Sequence, residues 1–543
     1  ISTTTVVRAV AKKSGWQSTN TDTNTYIFHD DVVNQPDEPE GFPSKWGRFS
    51  VDYEMDPEIT GPNAGEMRGA LRSLPTVSFV GHNDDFFGSK GIYGNPESTG
   101  LNWEKPISFE WLNKDGSGKF QVDCGARIQG GFFRQASASE KHSFRLLFKS
   151  EYGVGRLRED IVDQPGATDS FDTIVFRAGG NDGYAWGGAG TTVQFLRDEF
   201  GRRIAAEAGH ASPRGGFQHL YINGLYWGLY NLTERPNENF SASYYGGEDG
   251  DWDANNSGEV KQAGGKENGN DPSNSGLRDW NTYVSDARDA ETYADWMKLQ
   301  GLNPDGTRNP EFKVYLDADH YADYMIINFW GGNWDWPNKN FWFGRLNTPE
   351  STGFKHYTWD FENTMGNNRS RSPLNMKAPR NTHWVGGPYT SLKELLWFQV
   401  KWADRTQRLF FKGGLLSPDS TIERYSGMAA EIEPAMYAET ARWGDDNQSR
   451  PHTIDEWRDE RDWMLETYLP QRTDIVLGQF EDEDLYPGRA AAVFSQHGGM
   501  VGNGFTLTIE NGNPDTFYTL DGSDPYEFNP TSGAIELRDT AIS

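Results

Sequence analysis

Two short segments carry the chain's most chemically suggestive spacing. Asp335 and Asn340 lie five residues apart in Gly331-Gly-Asn-Trp-Asp335-Trp-Pro-Asn-Lys-Asn340, and further on comes His356-Tyr-Thr-Trp-Asp360-Phe-Glu362-Asn. A carboxylate that orients a hydroxyl nucleophile and accepts its proton, followed five residues later by an amide oxygen for Mg²⁺, is the spacing of phosphoryl-transfer loops. Asp360 then stands where a second metal-binding carboxylate is needed, with Glu362 two residues on as a further oxygen donor. Mg²⁺ requires hard oxygen ligands beside a carboxylate left free to act as base, and these two segments supply both. On spacing alone, the same aspartates serve equally well as turn residues beside a tryptophan-rich core.

Several elements must position these residues. A helix is predicted from Asp317 as cap to Trp330, stopped by Gly331-Gly332, so that Asp335 falls in the loop leaving its C-terminus. The strongest hairpin signal is Phe217–Ile222, Asn223-Gly224, Leu225–Leu232, because Asn-Gly supplies the two positive φ angles of a type I′ turn. Ahead of it, Thr191 or Thr192 can cap a helix carrying Val193, Leu196, Phe200, Ile204 and Ala208 and ending at Gly209. Lys141–Lys149 reads as a strand after a turn at Gly130-Gly131. Beyond about residue 236 the pattern changes: Gly246–Ser275 is a polar stretch that reads as a long surface loop. Helices are then expected over Arg278–Gln300, Ser391–Phe411 and Ile454–Leu469, the last stopped by Pro470. A strand-rich part followed by a mainly helical part predicts an α+β fold with a ligand cleft between two lobes.

Composition narrows the function. With 51 basic and 79 acidic residues the formal charge is −28, which repels phosphate backbones and anionic headgroups and argues against sequence-independent nucleic-acid binding or docking on a membrane surface. No apolar run reaches the roughly 18 residues of a membrane span. The single cysteine, Cys124, excludes an intramolecular disulfide and any multi-cysteine zinc site. His210, His219, His320 and His356 form no zinc-hydrolase spacing. Asp249-Gly-Asp251-Trp-Asp253-Ala-Asn255 alternates oxygen ligands like a calcium loop but lacks the glycine and glutamate such a loop needs, so Ca²⁺ is only weakly supported. Asp360 and Glu362 fall on one face of a strand only about 7 Å apart, which does not specify a glycosidase pair.

Arg127-Ile-Gln-Gly-Gly131, Lys141-His-Ser-Phe-Arg145-Leu, Tyr221-Ile-Asn-Gly-Leu-Tyr-Trp-Gly-Leu-Tyr-Asn-Leu-Thr-Glu234, Asn333-Trp-Asp335 and Trp359-Asp360, taken in that order, resemble the CotH family, atypical protein kinases related to bacterial spore-coat proteins. The resemblance covers roughly residues 75 to 480. It implies a two-lobed protein-kinase-like fold and phosphate transfer from Mg·ATP to Ser/Thr of protein substrates. Carried over by residue, Asp335 is the base, Asn340 and Asp360 are metal ligands, and Lys141 is the phosphate-contacting cation. Arg127 and Arg145 compete for that last role, since arginine makes bidentate phosphate contacts. The acidic partner of Lys141 is expected from the following helix, at Asp198 or Glu199, and Glu234 falls where a kinase hinge meets adenine. Two departures stand out. No G-x-G-x-x-G precedes Lys141, with Phe132–Ser139 in that place, and Glu362 replaces the glycine of Asp-Phe-Gly.

The ends read differently. Tyr518-Thr-Leu-Asp-Gly-Ser-Asp-Pro525 resembles the first half of the chitobiase/hexosaminidase C-terminal β-sandwich, and residues 1–28 resemble its second half. The expected organisation is 1–34 as one partial sandwich, 35–74 as a linker, 75–235 as the β-rich lobe, 236–485 as the helical lobe, and 486–543 as a second partial sandwich. A secreted or surface-exposed bacterial protein is implied, one that can join other copies of itself through its terminal halves. Two further readings are a non-catalytic assembly protein that keeps the kinase shape and a carbohydrate-binding module set.

Overall fold

A computed structural model describes residues 1–263, 272–367, 373–378, 384–446, 448–489, 491–512 and 514–543. The fold is α+β. Seven strands close into a barrel in the order Gly215–Ile222, Leu225–Glu234, Thr173–Arg177, Ser143–Leu147, Gly118–Gln129, Lys105–Leu112, Thr76–Val80. All neighbours are antiparallel except Thr76–Val80 and Gly215–Ile222, which run parallel and close the ring. Strand alternation puts Phe79, Phe109, Phe144 and Phe176 inside, where their rings meet edge to face at 5.2–6.0 Å. The predicted hairpin is present, with Asn223 and Gly224 both at positive φ.

A four-stranded antiparallel sheet, Glu259–Gln262, Trp252–Asn256, Phe341–Leu346, Lys355–Thr358, begins the second part. Two of its strands arise within the stretch read as one long loop. Ser257 and Gly258 make a two-residue turn at positive φ, and pairing with Phe341–Leu346 buries Trp252 and Ala254. Tertiary pairing thus overrides the poor strand propensity of Asp and Asn. Residues 264–271 of that stretch lie outside the described residues.

Helices form the rest, with corrected boundaries. The predicted 278–300 helix is two, Pro272–Arg288 and Tyr293–Leu299, the second started by a Thr292/Asp295 capping box. The 391–411 helix is likewise split into Gly387–Leu392 and Leu396–Phe410. Pro470 does not stop its helix: a π turn over Met464–Tyr468 shifts the register so that Pro470 enters the first turn of Leu469–Glu481, where a missing N–H costs nothing. The longest helix, Pro418–Trp443, was not predicted; Gly427 and Pro434 interrupt its sequence, yet Ser417 caps it and Tyr425, Met428, Ile432, Ala435 and Met436 are buried along it. This helix packs against strand Leu225–Glu234 at Gly228, where a Cβ would stand 2.8 Å from Glu439 Oε2.

At the N-terminus, Thr5–Ala9 pairs with Asp22–Tyr26, and Thr25 hydrogen-bonds the buried Glu110 of the barrel through both its N–H and its hydroxyl. At the C-terminus, Tyr526–Phe528 pairs with Ile535–Leu537. The described residues between 491 and 525 pair only through isolated bridges, Phe494 with Ile509 and Tyr518 with Ile542.

Candidate functional site

Thr173–Arg177 is an apolar strand ending in a cation, and the helix Arg197–Glu207 follows it in the chain. The Arg177 guanidinium meets three carboxylates: Nη2 reaches Asp360 Oδ1 and Glu362 Oε1, the latter at 2.6 Å, and Nε lies 3.1 Å from Asp198 Oδ2. Its plane also lies 5.2 Å from the Trp359 ring. Asp198 accepts the Phe361 N–H at 2.8 Å, so one helix residue holds both the cation and the Asp-Phe-Glu backbone. Burial opposes its ionisation, but Arg177 and Arg202 keep the Asp198 carboxyl below the usual range.

Phe361 is clamped. A Cβ on Gly201 would come within 2.5 Å of its ring and a Cβ on Gly331 within 2.3 Å, so both helices need glycine there. Asp360 itself sits at φ +58° and is the outermost of Arg177's three carboxylates, its side chain 30% exposed. Glu362 is buried, with Oε2 accepting the Asn181 N–H at 2.6 Å, and burial followed by the neighbouring Asp360 pushes its carboxyl up to about 7 against the pull of Arg177.

The helix Ala318–Gly331 is capped by Asp317 and closed by Gly332 in the left-handed region, as expected, and delivers the loop carrying Asp335. Asp335 Oδ2 accepts two amides, Asn340 Nδ2 at 2.9 Å and Asn363 Nδ2 at 2.7 Å. Its Oδ1 is buried with no hydrogen-bond partner among the described residues. Burial, then the nearby Asp360 charge, raises the Asp335 carboxyl to about 6. Asn340 and Met365 join Asp360 at positive φ, so the backbone is held in an uncommon region at three points of one site. The two segments singled out by their spacing are therefore brought together, and Asn363, which the spacing did not flag, ties them.

A match to a family model, described as CotH kinase protein, spans residues 126–476, more than half of the chain. The chain belongs to the CotH family. No curated protein matches it significantly. The CotH match contains every residue of the cluster just described, and it starts within the barrel strand that carries Arg127.

The other residues drawn from the sequence lie elsewhere in this CotH chain. Lys141 is 1% exposed. Its partner comes from the helix Pro418–Trp443, not from the Arg197–Glu207 helix as expected: Nζ donates to Glu439 Oε1 at 2.6 Å and to the Leu229 carbonyl at 2.7 Å, between the rings of Phe195 and Tyr230. Leu229 N–H donates in turn to Glu439 Oε2, and burial pushes both charged groups toward neutrality against their attraction. No hydrogen bond or ion pair joins Lys141 to Asp335, Asp360 or Arg177 among the described residues. Glu199 turns to Arg202 and Arg203, at 2.7 and 2.8 Å, and to Gln164. Glu234, pushed to about 7 by burial, accepts from the Arg214 N–H and the Tyr244 hydroxyl. Arg127 pairs with Glu104, and Arg145 stands opposite Arg127 in the strand register.

Arg177 escaped sequence reading, though a signal was there: a short apolar run ending in a cation, then a helix opening with two adjacent acids. Glu439 had no such local signal, being 298 residues from its partner.

The oxygen donors fit a hard cation. Among the described residues no group of three His, Cys, Asp or Glu is arranged to hold a metal, but Mg²⁺ commonly takes one or two carboxylates and completes its shell with water and phosphate. Asp360, whose side chain is 30% exposed, and the side-chain carbonyl of Asn340 are donors of that kind, with the partnerless Asp335 Oδ1 left beside them.

Proposed function

We propose that the chain is a phosphotransferase that moves the terminal phosphate of ATP to Ser or Thr hydroxyls of protein substrates. The observation that carries this reading is the Arg177–Asp198 pair beside Asp360. A cation on a barrel strand paired with an acid on the next helix, next to an Asp-Phe-x segment after a hairpin, is the arrangement that positions phosphates in protein kinases. The chain order supports it too, since strands Gly118–Gln129, Ser143–Leu147 and Thr173–Arg177, then the helix, then the Gly215–Glu234 hairpin follow the succession of a kinase's β-rich lobe. In this reading Arg177, rather than Lys141, contacts phosphate.

Asp360 and Asn340 would hold Mg²⁺, with Glu362 and Asn363 beside them, and the ion would supply neutralisation of charge on the phosphate oxygens. Asn340 and Asn363 pin Asp335 Oδ2, which fixes the carboxylate's orientation and leaves Oδ1 to take the acceptor's proton. Asp198 keeps Arg177 aimed into the cleft and holds Phe361 in register, so the carboxylates stay where the phosphates arrive. The acceptors are secreted or surface proteins of a bacterium, and the terminal β segments join copies of the chain. No described helix is long and apolar enough to cross a membrane.

The test is incubation with γ-labelled ATP, Mg²⁺ and a Ser/Thr-rich protein, with mass spectrometry locating the phosphate. Incorporation by the wild type that is lost with EDTA and falls by about 10²–10⁴ in Asp335→Asn is expected. Equal incorporation by Asp335→Asn would overturn the reading.

A further inference from the structure

A cavity of about 650 Å³ opens between two loops, 43–49 and 87–98. None of its lining residues belongs to the cluster of Arg177, Asp335 and Asp360, and all of them precede residues 126–476, which the CotH match covers. Its walls are held from within the fold. Gly47, at φ +63°, lies so close to Gly94 that a Cβ would stand 2.7 Å from the Gly94 carbonyl oxygen, and a Cβ on Gly94 would stand 2.8 Å from that of Gly88. These three glycines line the cavity with main chain. Asn95 Nδ2 donates to the Ser89 and Gly91 carbonyls at 3.0 and 2.9 Å, and Arg134 donates to the Pro96 carbonyl at 2.7 Å and to that of Ser98. Phe87 is buried against Trp46, Tyr53 and Trp227. The cavity is therefore pre-formed.

Its lining has a definite chemistry. The charged side chains are Lys45, Arg48 and Glu97, so a chain of net charge −28 presents more positive than negative charge here. Lys45 and Arg48 are exposed, and neither forms an ion pair or a side-chain hydrogen bond among the described residues; Arg48 lies 5.0 Å over the Phe49 ring. The half-buried Phe49 and Pro43 supply apolar surface. Ser89, Asn95 and Glu97 supply polar groups, and with its Nδ2 occupied Asn95 keeps Oδ1 as an acceptor. Apolar surface beside hydroxyl, amide and carboxylate groups suits a pyranose ring, whose C–H face is apolar and whose hydroxyls both donate and accept. The two uncommitted cations add a place for a carboxylate. Neither loop contains a strand that could pair with the main chain of an acidic peptide.

We propose that this cavity binds a carboxylated pyranose, one hexuronate unit of an acidic glycan, with the ring against Phe49 and the carboxylate on Lys45 and Arg48. The site is separate from phosphate transfer and stands whether or not the chain is a kinase. It gives the chain a hold on a uronate-bearing matrix.

Calorimetric titration of the full chain with tri-galacturonate, its methyl ester and tri-glutamate tests this. The ester keeps the rings and removes the charge, whereas tri-glutamate keeps the charge and removes the rings. Tri-galacturonate should bind with a Kd below about 1 mM, and the other two at least about tenfold more weakly. Lys45→Gln combined with Arg48→Gln should lose at least about tenfold for tri-galacturonate with the melting temperature unchanged, since both side chains are exposed. No saturation by tri-galacturonate up to about 10 mM, or unchanged affinity in the double variant, would overturn the proposal. Equal binding of the ester would overturn it in favour of a neutral sugar, and equal binding of tri-glutamate in favour of an acidic peptide. Displacement of tri-galacturonate by Mg·ATP would overturn it as well, by placing the sugar in the transfer site.

Discussion

Lys141, two residues ahead of the barrel strand Ser143–Leu147, and Arg177, at the end of the barrel strand Thr173–Arg177, both meet an acid from a helix, yet they occupy opposite kinds of environment. Lys141 and Glu439 are sealed, with side chains 1% and 0% exposed, and they tie the longest helix to the barrel hairpin. Arg177 faces three carboxylates, one of which is 30% exposed, beside a partnerless oxygen of Asp335. A buried pair whose charged atoms are each hydrogen-bonded inside the fold is closed to a ligand. An over-supplied cation whose carboxylates can re-pair with an incoming cation and phosphate does. The difference separates a structural lock from a site able to do chemistry, and it depends on accessibility rather than on residue type.

The largest expected effect breaks the lock. Lys141→Ala strands Glu439 as an unpaired buried charge and should cost about 3–5 kcal/mol in urea denaturation, whereas Lys141→Met combined with Glu439→Leu should recover most of that loss. Arg177→Ala comes next. It should lower phosphate transfer by about a hundredfold, in the range of a lost charge-stabilising donor, when rates are compared at equal folded fraction. Gly201→Ala is smaller, because its Cβ must displace the Phe361 ring; a loss of about 1–3 kcal/mol by thermal melting, with slower transfer from a displaced Asp360, is expected.

The smallest effect is a pH dependence that sharpens the contrast. Asp335 titrates near 6 in the fold against about 3.8 unfolded. A raised carboxyl contributes stability that is complete below the unfolded value and is lost as pH rises through about 6, so Asp335→Asn should be more stable than wild type at pH 7.5 by about 1–2 kcal/mol and lose that advantage below pH 4. Transfer by the wild type should fall as pH drops through about 6, because a protonated Asp335 cannot accept the acceptor's proton. Melting curves and rate profiles over pH 4–8 check both signs.

How much was legible follows the same contrast. That Asp335, Asn340, Asp360 and Glu362 lie near one another could be read because a loop and a hairpin keep them close in sequence, and the Asn223-Gly224 turn because its chemistry is local. The helix end at Gly331-Gly332 was equally local. Lys141 and Glu439 could not be paired from sequence, since 298 residues separate them and only the packing of Pro418–Trp443 at Gly228 brings them together. Arg177 lay hidden for a different reason: the strand that it ends is five residues long, and the more conspicuous KHSFRLLFK run drew the cation assignment to Lys141. Strand pairing through Trp252 and Ala254 and the π turn before Pro470 are tertiary solutions that propensity alone misreads.

The most direct test compares phosphate transfer from labelled ATP by Arg177→Met with transfer by the Lys141→Met/Glu439→Leu pair, each corrected for folded fraction. A double variant within about threefold of wild type and an Arg177 variant at least about a hundredfold slower is the predicted result. Transfer that survives the loss of Arg177 but disappears with Lys141 and Glu439 would contradict the assignment of the two pairs.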